Sequence, residues 1–134
     1  MLQSSRSVLS VSERNTDAFN RLKQELGGLT NKQAFFIAMG WGFRHGVKPQ
    51  LEKRTGNGVR LEYLKGEDEA LLVALQLAET QDPHALTDVE QRLDLAEQYA
   101  EGGLLLLAEM FDEPGSFSQS FAASIRQQVQ ELNL

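Results

Sequence analysis

The segment from Thr30 to Gly46, TNKQAFFIAMGWGFRHG, constrains the fold more than any other. It carries the only Trp and three of the seven Phe, and from Ala34 to Phe43 its apolar residues leave hardly any polar face. A helix of that kind is buried on most sides, so the remaining chain is expected to pack around it. Thr30 and Gln33 have the spacing of a capping box, which sets the helix start. Gly46, with Pro49 beyond it, reads as the end. Gly40 and Gly42 each weaken a helix interior by about 1 kcal/mol relative to Ala. They imply close approach of another backbone, from this chain or a second subunit, or an early helix end.

The flanking periodicities predict a mainly α single domain over residues 1–134 with a short N-terminal strand. Residues 5–12 alternate loosely, with Leu9 and Val11 on one side and Val8, Ser10 and Ser12 on the other, which is a strand signal. Asn15 or Thr16 offers a side-chain N-cap to a helix over about 15–26, stopped by Gly27-Gly28. Residues 49–66 form a basic, turn-rich connector between a strand-helix-helix part (1–48) and an acidic helical part (67–134). In the connector, Thr55-Gly56-Asn57-Gly58 predicts a tight turn, and Val59 to Leu64 alternates as a second short strand or an ordered loop. Glu67, Asp68 and Glu69 open a helix running to about Thr80, where negative charge meets the positive end of the helix dipole. Thr87 with Glu90 suggests a further capping box, opening a helix that Gly102-Gly103 interrupts before a short apolar helix from Leu104 to Phe111. Phe117, Phe121, Ile125, Val129 and Leu132 then mark a last amphipathic helix.

An apolar fraction of 41% with 24% charged residues is ordinary globular composition. The absence of Cys excludes disulfides and thiolate metal sites, and no apolar run is long enough for a membrane span or secretion signal, so a cytoplasmic protein is expected. The net charge of -6 hides a division. Residues 1–66 carry eleven Lys and Arg against five acids, whereas the remainder carries only Arg92 and Arg126 against fourteen acids. Halves of opposite sign either neutralise one another or face different partners.

Chemistry is sparsely signalled. His45 and His84 lie in unrelated segments without a second ligand at metal-binding spacing, and the Asp112-Glu113 pair before Pro-Gly reads as a solvated loop. The glycines from 40 to 46 match neither phosphate-loop pattern, and no Ser stands in a nucleophile-elbow motif. No metal, cofactor or catalytic residue is expected.

Two resemblances add to this reading. Strand, helix, glycine turn and helix over residues 5–46 resemble the ribbon-helix-helix DNA-binding fold, in which two chains pair strands in the major groove. That resemblance implies that Arg6, Val8 and Ser10 face bases while Thr30, Asn31 and Lys32 hold a phosphate at a helix N-terminus. The run from Ala34 to Gly42 with Gly46 and Pro49, then Ala78 to Pro83, then Tyr99 to Leu104, is similar to a small accessory family found beside bacterial DNA phosphorothioation (Dnd) and related phage-defence systems. This second likeness implies a small partner of a larger protein in such a system; the chain is expected to be a homodimer and to act there without catalysis of its own. Its partner or dimer surface is then expected around Phe35, Trp41 and Phe43 or on the C-terminal helix, with the DNA-binding regulator as the alternative.

Overall fold

The computed structural model describes residues 6–132; Ser5, the first residue of the expected strand segment, lies outside them. Along the described chain run β1 (Val8–Ser12), α1 (Thr16–Glu25), α2 (Asn31–His45), β2 (Arg54–Arg60), α3 (Gly66–Thr80), α4 (Val89–Phe111) and α5 (Phe117–Glu131). Short 3-10 turns lead into α1, follow β2 and precede α4. The mainly α class with a short N-terminal strand therefore holds.

Helix α2 begins as its spacing predicts. The Thr30 side chain accepts from the Gln33 N–H at 3.1 Å and the Gln33 side chain accepts from the Thr30 N–H at 3.0 Å. Gly46 closes the helix in the left-handed conformation, with φ of 68°. Other boundaries differ from expectation. Asn15 precedes α1 but its side chain makes no cap hydrogen bond. Asp88, rather than Thr87, caps α4 by accepting from the Gln91 N–H, while the Thr87 hydroxyl donates to the His84 carbonyl inside the preceding turn. The Thr55 to Gly58 run is strand, not turn: β2 pairs antiparallel with β1, Leu9 opposite Val59 and Ser10 opposite Gly58. Glycine is required at 58 because a Cβ there would strike the Leu9 carbonyl of the neighbouring strand.

The largest departure is at Gly102-Gly103. The expected interruption is absent and α4 runs unbroken for 23 residues. The two glycines instead let α2 lie directly on α4. A Cβ on Gly42 would come closer than 3.0 Å to the backbone of Tyr99 and Gly103. One on Gly103 would strike the Ala38 carbonyl, and one on Gly102 the Val47 carbonyl. Around this seam Phe35, Ala38, Leu93, Ala96 and Leu104 are fully buried, joined by Leu9 from β1, Phe19 from α1 and Leu72 from α3. Each large side chain so buried contributes about 1.5–3 kcal/mol. Helix α5 sits at the periphery, where Phe117 is its one buried residue, stacked on the ring of Phe121 and edge-on to that of Phe111.

Gly40 behaves differently from Gly42 two residues away. It is exposed, and a Cβ added there meets nothing within 4 Å. Urea unfolding will show opposite signs at the two positions. Gly40→Ala is expected to stabilise by about 0.5–1 kcal/mol through reduced chain entropy, and Gly42→Ala to destabilise by at least about 2 kcal/mol because neither backbone can yield.

Candidate interaction surfaces

The charged halves of the sequence meet within the chain. Arg6 pairs with Glu90, Asp94 and Glu97, and Arg54 with Asp94 and Glu97. Arg14 pairs with Glu101, Lys32 with Asp68, Lys48 with Glu79 and Arg44 with Glu131. The cation comes from the basic part and the anion from the acidic part in every one of these, which accounts for much of the division in charge.

Two of the acids also perform backbone work. Glu97 and Glu101 stand one turn apart on α4, each about 1% exposed. Glu97 accepts from the Ser10 N–H at 2.6 Å, and Glu101 from the Ser12 N–H at 3.3 Å and from the Ser12 hydroxyl. These are N–H groups of the β1 edge that β2 does not use, so two carboxylates stand where a further strand would. The N–H bonds and the guanidinium groups of Arg6, Arg54 and Arg14 offset the cost of burying charge. Sequence reading missed this pair; the available signal was two acids at i,i+4 among Leu93, Ala96, Tyr99, Ala100 and Leu104.

Other polar clusters are structural in the same sense. The Tyr99 hydroxyl donates to Glu79, which also receives Lys48, and the Lys48 ammonium lies 5.9 Å from the centre of the Tyr99 ring. Burial, and then the Glu79 carboxylate, push the Tyr99 phenol up to about 12. Gln76, fully buried, donates to the carbonyls of Ala85 and Asp88 and accepts from Arg92 Nε at 2.9 Å, fastening the turn between α3 and α4. His45 Nδ1 lies 2.8 Å from the Trp41 carbonyl with its ring against the indole, and His84 sits in the 3-10 turn before α4. Among the described residues no group of His, Asp and Glu has the arrangement of a metal site.

Two concavities bear on recognition. The first, about 370 Å³, lies at the N-terminus of α2 and gathers Thr30, Asn31 and Lys32 with Val59, Arg60 and Tyr63. Part of its polar lining is already engaged. Asn31 receives Lys23 and donates to the Gly58 carbonyl, and Lys32 binds Asp68 at 3.0 Å. The three residues assigned to base contacts by the ribbon-helix-helix likeness are not in this cleft's lining. Arg6 is held against α4, Ser10 is buried, and Val8 is paired opposite Arg60. A β-ribbon between two chains would have to displace either β2 or the α4 carboxylates.

The second concavity, about 330 Å³, is a groove between α2 and α5 with apolar walls from Phe36, Ile37 and Trp41 on one side and Phe121 and Ile125 on the other. Of the three aromatic residues expected at an interface, Phe35 is wholly inside the core and Trp41 is 7% exposed, its ring 4.9 Å from that of Phe121. Phe43 is 41% exposed and packs edge-on against Tyr99. On α5, Ile125, Val129 and Leu132 remain exposed at spacings of four and three, extending the apolar strip.

A family model described as DNA sulphur modification system-associated protein 4 matches residues 11–132. No curated protein and no solved structure matches the chain. Among the described residues no helix is long and apolar enough to cross a membrane.

Two titrations follow from these environments. In ultraviolet difference spectra Tyr99 is expected to ionise at about 12, and Glu79→Gln to move it down toward the ordinary value of 10.0. For Asp68 the Lys65 N–H and then the Lys32 ammonium hold the carboxyl below its ordinary value of 3.8. Its ionised form therefore stabilises the fold above that value, and the contribution is lost as pH falls through the lowered one. Burial pushes Glu97 the other way, above 4.5, against the Ser10 N–H and the Arg54 and Arg6 charges, so its ionisation opposes folding as pH rises through that interval. Asp68→Asn is thus expected to destabilise at neutral pH, with the difference from the parent protein vanishing once pH has fallen below the lowered value in a series of urea midpoints.

Proposed function

Since the chain belongs to the family of DNA sulphur modification system-associated protein 4, we propose that it is an accessory subunit of that system, without catalysis of its own, acting through contacts with a larger protein of the machinery. The observation that carries this reading is the disposition of its polar and apolar groups. Its buried carboxylates and their arginines fasten the fold together, whereas Phe43 and the strip along α5 are apolar surface that the domain leaves uncovered. Contiguous exposed apolar surface rimmed by polar groups is what a binding partner covers.

A second reading, a DNA-binding regulator, is favoured by the cleft at the start of α2. Lys32 and Arg60 line it, and the helix N-terminus there directs positive dipole toward an anion.

Both readings are tested by co-purifying a tagged chain with the modification proteins from its own cells and by a salt series of binding to a DNA duplex. The accessory reading expects co-purification that survives Lys32→Ala but falls at least about tenfold in Ile125→Asp, Val129→Asp. Duplex binding that weakens steeply with salt and is lost in Lys32→Ala and Arg60→Ala, with no co-purifying modification protein, would replace it by the regulator.

A further inference from the structure

We propose that the groove between α2 and α5 seats an acidic amphipathic helix of another protein, packed closest over Gly40. The inference rests on the accessory reading and names the chemistry of its partner.

Gly40 supplies the first reason. A glycine weakens a helix interior, and Gly42, Gly102 and Gly103 are each accounted for by the backbone lying on them. Gly40 has no such neighbour: it is exposed, with open space above it, and lines the groove beside Phe36, Ile37 and Trp41. A small residue flanked by large apolar ones lets a further helix approach as closely as α4 approaches Gly42.

The second reason is shape. The walls are two helices, and α5 carries the apolar strip on through Val129 and Leu132. Its fifteen residues span about 22 Å, the length of four turns of a docked helix.

The third reason is charge. Among the described residues Arg44 is the one ionisable residue lining the groove, and no carboxylate lines it, in a chain that has nineteen acids. Arg44 is paired with Glu131 at 3.3 Å, but both side chains are half exposed, so the pair is weak and open to exchange for a carboxylate on an incoming helix. A second copy offering the same groove face would supply another Arg44 and, among the described lining residues, no carboxylate to meet the first, which favours a partner of different sequence.

The test uses two fluorescent helical peptides of roughly 18 residues, with one apolar stripe of Leu and Ala and flanks of Glu in one and Lys in the other, titrated into the full chain while its mass in solution is recorded. The Glu-flanked peptide is expected to bind at least about tenfold more tightly than the Lys-flanked one. Gly40→Leu, whose Cβ meets no described atom within 4 Å, should abolish binding while circular dichroism and the urea midpoint show an intact fold. Arg44→Gln should remove the preference for Glu while leaving residual apolar binding. Absence of binding, equal binding of both peptides by the parent chain, or a dimer that Gly40→Leu dissociates would each overturn the proposal. If the peptides fail while the chain still co-purifies with the modification proteins, the groove assignment alone falls. If co-purification fails as well, the accessory reading falls with it.

Discussion

The backbone of α2 rests on the backbone of α4, with Gly42 and Gly103 at the points of approach and Gly102 under Val47 just past the end of α2. No side chain stands between the helices there, so the axes are fixed by main-chain contact rather than by interdigitated residues. Ridges packed into grooves tolerate modest repacking, whereas a seam of this kind does not. The position of α4 in turn decides where the other elements sit, since α1, α3 and β1 all pack on it. Phe35, on the same helix as Gly42, is wholly buried beside the seam and so belongs to the core rather than to any outer surface.

With α4 so placed, its carboxylates become the template for the N-terminal strand. A lone pair of strands is marginal in water, and among the described residues β1 and β2 pair only with each other. Glu97 and Glu101 complete the second edge of β1 from a helix, and Arg6, Arg14 and Arg54 converge on the same two groups. The opposite charges of the two sequence halves are therefore largely spent in positioning secondary structure. The surface along α5 nonetheless exposes Ile125, Val129 and Leu132.

Local signals in the sequence were legible where one segment alone decides the outcome. The Thr30–Gln33 box, the Gly46 stop and the periodicity of α3 and α5 are written within a turn or two of chain, and the order of strand and helices follows from them. Gly102-Gly103 misled because glycine weakens a helix in isolation, yet here a tertiary contact needs the missing side chains and overrides propensity. Thr55 to Gly58 misled for a similar reason: turn-forming residues became strand because Gly58 had to pass the Leu9 carbonyl. The role of Glu97 and Glu101 was out of reach, since nothing in the residues near position 97 tells of a strand 87 residues earlier. At the positions expected to form an interface, aromatic content was the only guide, and it did not distinguish Phe35 inside from Phe43 outside.

The clasp between β1 and α4 also bears on the order of events during synthesis. The residues that close the outer edge of the first strand are separated from it by most of the chain, and at translation rates of about 5–20 residues per second they follow it by several seconds. Through that interval the earliest-made strand has neither β2 nor the carboxylates available for part or all of the time, so its final register is assigned late. The β1–β2 pair closes over a shorter span than the seam between α2 and α4, and the carboxylate clasp over a longer one, so the outer edge of β1 is the last of these contacts to be fastened. β1 is thus made well before its outer edge can be closed.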